Sequence, residues 1–268
     1  MTLKVAVHGA AGRMGRALVQ MIHDAADLEL EGAIDSAHSP ALGHDAGELA
    51  GVGAVGWPIS SHLEAIASAD VVIDFSLPVA FDALLDAALR YSRPLVLATT
   101  GLSAVNQQRI DEAAKSLPIV AAPNYSTGVA VLYHLAEQAS ALLADFDIEV
   151  VEMHHRRKID APSGTAIGLA EAAARGRKLD LKEHAVYGRE GHPGARTNEE
   201  IGIMTLRGGD VIGDHTLYLA GEGERLELTH RSGNRELFAR GALRAARWVA
   251  KQPAGRRYNM KDVLGLKQ

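Results

Sequence analysis

Residues 3–35 constrain the chain more than any other stretch. A short apolar run, residues 3–7, ends in His8-Gly9-Ala10-Ala11-Gly12-Arg13-Met14-Gly15. Ala17, Leu18, Met21 and Ile22 then recur at helical spacing, and a second apolar run, residues 28–34, ends at Asp35. The pattern predicts strand, glycine-rich turn, helix, strand and acid, which is the order of a dinucleotide-binding half-fold. Glycines permit the tight turn and let backbone N–H groups approach a pyrophosphate; the acid accepts hydrogen bonds from a ribose diol. The spacing is G-x-x-G-x-x-G rather than G-x-G-x-x-G, so the turn alone also suits an α/β protein that binds no nucleotide. Position, flanking elements and Asp35 together favour a nucleotide.

The alternation continues downstream. Residues 71–75 read as a buried strand ending in Asp74-Phe75-Ser76, with a helix from Pro78 to residue 91. Residues 95–98 form another strand, ending in Thr99-Thr100-Gly101; a polar helix over 103–115 and a strand over 119–122 follow. Near-continuous apolar strands suit a parallel sheet covered on both faces. In such sheets ligands lie beyond the carboxyl ends of the strands. The turn from Gly9 to Met14, Phe75, the segment from Ala98 to Thr100 and the segment from Ala122 to Tyr125 are therefore expected to line one crevice. Residues 36–58, rich in Gly, Ala and His, read as an irregular loop.

The chain changes character after a helix over residues 127–143. Apolar Ile148, Val150 and Val151 lead a strand over 147–154 into five consecutive potential cations, His154, His155, Arg156, Arg157 and Lys158. Ala161-Pro162-Ser163-Gly164-Thr165 then opens a helix. A cationic loop thus meets a helix start, whose free N–H groups and positive dipole end attract anions. Imidazoles there can move protons near neutral pH. The plain alternative is a solvated loop before a capped helix. A polar stretch, 182–200, and three strand-like runs, 201–207, 214–220 and 225–230, predict a second sheet, antiparallel or mixed. An amphipathic helix over 236–250 follows.

Composition narrows the function. Lys plus Arg number 28 against 33 Asp plus Glu, a net charge of −5, which argues against a nucleic-acid binder. There is no cysteine, so disulfides, thiolate catalysis and Cys-based zinc sites are excluded. No metal site is expected either: adjacent strand residues such as His154 and His155 point to opposite faces, and no H-E-x-x-H occurs. Ser163 lacks a G-x-S-x-G elbow and reads as a cap or anion donor. No apolar run approaches the roughly 20 residues of a membrane span. With a strand-like start and no signal peptide, the chain is expected to be soluble and cytoplasmic.

Four stretches together carry a resemblance. G-x-x-G-R-M-G, D-F-S-x-P, T-T-G and E-x-H-H-R-x-K-x-D-A-P-S-G-T-A are similar to the 4-hydroxy-tetrahydrodipicolinate reductase (dihydrodipicolinate reductase) family. The likeness runs end to end, through Y-G-R-E-G-H at 187–192 and M-K-D-V-L-G-L at 260–266. It implies reduction of a small dicarboxylate by NADH or NADPH in the diaminopimelate route of lysine synthesis, by a homotetramer. It implies that His154 gives and takes a proton, that Lys158 donates one and that His155 touches substrate. Gly164 and Thr165 would hold a substrate carboxylate. Gly9, Ala10, Ala11, Gly12, Arg13 and Met14 would hold the cofactor with Asp35. Ala98, Thr99 and Thr100, and Ala122, Pro123, Asn124 and Tyr125, complete the cofactor contacts. The fold it implies is α/β: an N-terminal Rossmann-like parallel-sheet domain, residues 1–126 and 235–268, plus a C-terminal α+β domain, residues 127–234, for substrate binding and oligomerisation.

The chain departs from the family pattern at three places. Ser36 stands where members that use both cofactors often carry Arg, Leu77 where some have Arg, and Ala98 where Gly is common. Beside Asp35 this predicts a preference for NADH. Two other readings stay open on the residues alone: a non-catalytic NAD(P)H sensor, and another two-domain dehydrogenase acting on an amino or sugar acid.

Overall fold

The alternating strands and helices resolve into two sheets. The computed structural model describes residues 2–266, and the chain divides into unit 1, Met1–Ser126 with Glu236–Gln268, and unit 2, Thr127–Arg235. Unit 1 begins β1 (Leu3–His8), α1 (Arg13–Asp24), β2 (Leu28–Ile34) and α2 (Ala46–Ala50). It continues β3 (Val71–Asp74), α3 (Phe81–Tyr91), β4 (Leu95–Leu97), α4 (Ala104–Ala113) and β5 (Ile119–Ala121). Unit 2 holds α5 (Thr127–Leu142), β6 (Asp147–His154), α6 (Gly164–Arg177), α7 (Leu181–His184) and β7 (Ala185–Tyr187), then β8 (Ile201–Arg207), β9 (Asp214–Ala220) and β10 (Arg225–Arg231). The chain returns to unit 1 with α8 (Glu236–Val249), β11 (Arg257–Tyr258) and α9 (Met260–Val263).

The first sheet is parallel throughout, in the order β11-β5-β4-β3-β1-β2. Every residue of β3, β4 and β5 is buried, as their unbroken apolar composition requires of strands covered on both faces. The strand order reverses between β1 and β3, where His8 pairs with Asp74 in register. That switch point is where such sheets open a crevice.

The second sheet is mixed, in the order β10-β9-β6-β8-β7. β6 lies parallel to β8 and antiparallel to β9. Along β6, burial alternates strictly: Ile148 and Val150 pack with Leu132, Ala136 and Leu169 of α5 and α6, while Glu149, Val151 and Met153 are half-exposed on the other face.

The structure corrects the sequence reading in four places. The loop over 36–58 contains α2, organised by one side chain: the Asp45 carboxylate accepts from the N–H groups of Gly47, Glu48, Val55 and Gly56. Pro78 opens a single 3-10 turn, Pro78–Ala80, ahead of α3. The polar stretch over 182–200 supplies the edge strand β7, and Arg189 and Arg196 tie it to Glu149 on β6. The two residues of β11 add a sixth strand too short to leave a periodic signal.

Unit 2 also shows how a helix end is closed. Arg177 donates to the carbonyls of Ser140 at 2.7 Å, Leu143 at 2.6 Å and Ala144 at 2.5 Å, and to that of Phe146. Ser140 lies in the last turn of α5, where carbonyls have no partner within the helix, and the other three follow its end. Arg177→Ala is expected to destabilise the protein by about 2–4 kcal/mol, the cost of leaving several part-buried carbonyls unpaired. A urea denaturation midpoint unchanged from wild type would contradict this.

Candidate active site

In unit 1 the crevice at the switch point is a cavity of about 600 Å³, ordinary for a small-ligand site. Its walls include Gly9, Ala11, Gly12, Asp35, Ser36 and Phe75. Gly9 adopts φ +81°, and a Cβ there would lie 2.5 Å from the Phe75 carbonyl oxygen, so only glycine fits this turn. Gly12 is the N-cap of α1, with no side chain capping the first turn and no acid in it. Those N–H groups and the dipole end are therefore open to an anion such as a pyrophosphate. Asp35 bridges the turn: Oδ2 accepts from Ala11 N and Oδ1 from Ser36 N, both at 2.8 Å. The residues fit a dinucleotide.

The other expected cofactor residues gather at the same strand ends. Ala98, Thr100, Pro123 and Asn124 line a cavity of about 280 Å³ with Phe75, Ser76, Tyr125 and Phe238, and Ala122 and Thr99 line a neighbouring one. Several have structural roles. The Tyr125 hydroxyl lies 2.9 Å from the carbonyls of both Leu97 and Val120, inside the core. Thr99 donates to Asp74 at 2.6 Å. Ala10 is buried beneath the turn. Arg13 and Met14 open α1 without forming a wall of the main cavity, and Arg16, which no motif marked, does form one. Sequence reasoning also missed the pair beneath the crevice, His8 Nδ1 to Asp74 Oδ1 at 2.7 Å, both buried. Its only sequence signal is that both residues end strands.

In unit 2 the strand β6 delivers His154, and the loop after it carries His155 to Lys158. His154 is buried, and its Nδ1 lies 2.5 Å from Oε2 of Glu152. The two residues share a face because side chains two apart on a strand do. Glu152 is fully buried. Burial works to raise its pKa, but hydrogen bonds from His154 and Arg207 outweigh this and hold it at about 2. Thr205 Oγ1 and Ser163 N also donate to it. Ser163 caps α6 by accepting from Ala166 N at 3.1 Å, and its Oγ lies 3.0 Å from His215 Nε2. His215 is buried and stands edge-on to His154, ring centroids 5.1 Å apart. Burial, and then the neighbouring His154, pull its pKa down to about 4, so it is neutral near pH 7.

The rest of the loop is more exposed. Both ring nitrogens of His155 face donors, Arg157 N at 3.2 Å and Arg235 Nη2 at 3.3 Å. A neutral imidazole has one lone pair to offer them. Partial burial, then the Arg235 and Arg157 charges, lower its pKa. Lys158 Nζ is held by both oxygens of Asp160 at 2.8 Å. Gly164 is exposed at the first position of α6, and a Cβ there would meet nothing within 4 Å. Within this unit, then, the expected His154, His155, Lys158, Gly164 and Thr165 stand on one strand end, its loop and the helix start it leads to. Glu152, Thr205, Arg207 and His215 were missed. Glu152 carried a legible signal, its two-residue spacing from His154; His215 and Arg207 come from other strands and carried none. Among the described residues no group of three or more His, Asp and Glu side chains is placed to hold a metal ion, and no helix is long and apolar enough to cross a membrane.

Residues 3–125 match the family model "Dihydrodipicolinate reductase, N-terminus", and residues 128–264 match "Dihydrodipicolinate reductase, C-terminus". The chain is 51% identical over 268 residues to 4-hydroxy-tetrahydrodipicolinate reductase of Alkalilimnicola ehrlichii, covering 99% of this chain and 100% of that protein. It is 50% identical over 266 residues to the protein of that name from Pseudomonas fluorescens, covering 98% and 99%. A solved structure, dipicolinate-bound dihydrodipicolinate reductase from Paenisporosarcina sp. TG-14, superposes with TM-score 0.76 at 25% identity, covering 97% of this chain and 98% of that one.

Proposed function

The chain belongs to the dihydrodipicolinate reductase family and is an oxidoreductase of the diaminopimelate route to lysine; from that premise we propose how its two units divide the work. Unit 1 holds the nicotinamide cofactor at the glycine turn, Asp35 and the strand ends around Thr100 and Asn124. Unit 2 receives 4-hydroxy-tetrahydrodipicolinate and supplies protons. The reduction to tetrahydrodipicolinate replaces a hydroxyl by hydrogen: the hydroxyl leaves as water, and one hydride and one proton are taken up in net. A bound reduced nicotinamide supplies the hydride. Negative charge building at the ring nitrogen or the adjoining carbon is met by a proton from Lys158 or His154, an effect of roughly 10²–10⁴ in rate. The N–H groups of Gly164 and Thr165 at the start of α6 receive a substrate carboxylate. His155 contacts the substrate.

The observation that carries this reading is the pairing of His154 with the start of α6 through the shared partner Glu152. A homotetramer assembled through the half-exposed face of the second sheet, with Val151, Met153, Met204 and Tyr218, and a cytoplasmic location complete the proposal. The deciding assay follows NADH oxidation coupled to a synthase that supplies the unstable substrate. Turnover supports the reading; tight NADH binding without turnover favours a sensor.

A substitution at Gly164 separates substrate binding from folding. Because a side chain there meets open space within the protein, Gly164→Val is expected to leave the thermal midpoint unchanged. It obstructs approach to the helix N–H groups, so KM for substrate rises about tenfold, a loss of about 1.4 kcal/mol. Pyridine-2,6-dicarboxylate should inhibit competitively with substrate; competition with NADH instead would place the anion site in unit 1.

A further inference from the structure

Glu152 is 0% exposed, and both its oxygens are fully engaged. Oε2 meets His154 Nδ1 at 2.5 Å and Arg207 Nη1 at 2.9 Å; Oε1 meets Thr205 Oγ1 and Ser163 N, each at 3.1 Å. These donors come from β6, from β8 and from the N-cap of α6. Stability does not account for such a group, because a buried ion pair is commonly no more stabilising than apolar residues of the same volume.

The geometry has two consequences for His154. An ionised carboxylate on Nδ1 keeps a hydrogen there in both protonation states, so Nε2 is the nitrogen that exchanges its proton. Space beside Nε2 is kept by Gly213, where a Cβ would lie 2.9 Å from that atom. The same carboxylate also grips Ser163 N, and Ser163 Oγ caps α6. One side chain therefore sets the position of both the proton-carrying ring and the helix start that receives an anion.

We propose that Glu152 is a positioning residue for the reduction, fixing His154 with Nε2 as its exchangeable nitrogen and holding that nitrogen in register with the N-terminus of α6. The proposal rests on the proton role assigned to His154 above. Charged and titratable groups around the ring are Glu152 on its own strand, the adjoining His155, Arg207 on β8 against Glu152, and His215 on β9; Lys158 in the following loop acts on His155 and His215. His215, held neutral, adds no opposing charge.

The test uses the full-length chain with ¹⁵N-labelled histidine, the His154 signals being assigned by their loss in His154→Gln. In the wild type, Nδ1 of His154 is expected to carry the hydrogen whenever the ring is neutral, with Nε2 the unprotonated nitrogen. A neutral ring carrying its hydrogen on Nε2 would overturn the proposal, and this measurement needs no substitution at Glu152. Glu152→Gln is expected to lose the Nδ1–H signal and about 10- to 100-fold in kcat, as for loss of a partner that orients a functional histidine. The glutamine amide oxygen can still accept from Ser163 N and hold the start of α6, so substrate KM and NADH affinity should change by less than about threefold. A folded Glu152→Gln protein with wild-type kcat overturns the proposal if His154→Gln is impaired. If His154→Gln also keeps wild-type kcat, the assignment of His154 itself fails.

Discussion

Lys158→Ala is expected to lower kcat by about 10²-fold or more while NADH affinity stays within about twofold of wild type. Lys158 is the last cation of the loop after β6, in unit 2, whereas the glycine turn and Asp35 lie in unit 1. Its ammonium is held by Asp160 at 2.8 Å from each oxygen and is only 20% exposed, so it is placed rather than free in solvent. A group that acts mainly when charge develops on the substrate lowers kcat and kcat/KM together when it is removed. Fluorescence titration with NADH and steady-state kinetics read the two quantities separately. Collapse of NADH affinity with kcat retained would make Lys158 a cofactor residue and refute its assignment as proton donor.

The wild type is expected to prefer NADH over NADPH in kcat/KM, and Asp35→Ser with Ser36→Arg is expected to move that ratio toward NADPH by about 10²-fold. Asp35 closes β2 at the cavity edge, where a ribose diol lies in dinucleotide folds. The 2′-phosphate of NADPH would bring a charge of roughly −2 beside that carboxylate, and close like charges cost several kcal/mol. Every 1.4 kcal/mol is a factor of ten. Ser36 offers no compensating charge. The cation on the cavity wall is Arg16, whose Nε donates to Ala11 O at 2.9 Å. The double variant also removes the bond from Ala11 N to Asp35, so its best kcat/KM should fall below that of the wild type even as the ratio inverts. Kinetics with both cofactors at low salt decide the matter. A wild type that clearly prefers NADPH would mean that Arg13 of the glycine turn or Arg16 outweighs Asp35.

Much of this protein was legible in order along the chain. Unbroken apolar runs separated by helical spacing announced a parallel sheet, because strands covered on both faces have no polar alternation. The glycine turn was legible because only glycine tolerates the backbone of Gly9 pressed against Phe75. The run from His154 to Thr165 was legible because cations beside a helix start are a local pattern. Elements organised by particular side-chain bonds were not legible: α2 depends on its N-cap Asp45, which also gathers the N–H groups of Val55 and Gly56, and the segment around β7 on Arg189 and Arg196 reaching back to Glu149.

The sequence by itself determined the kind of fold, the residues of the glycine turn and the loop that carries His154 and Lys158, since each of these is written in neighbouring positions. Tertiary structure alone decided what surrounds them. His215 from β9, and Arg207 and Thr205 from β8, reach His154 or Glu152 only because β6 lies between those two strands. His8 meets Asp74 only because the strand order reverses between β1 and β3. Register across a sheet is set by which strands lie side by side and by which of their faces is buried. Partners more than fifty positions apart, such as Glu152 with Thr205 or Ser163 with His215, therefore leave no pattern in the order of the residues.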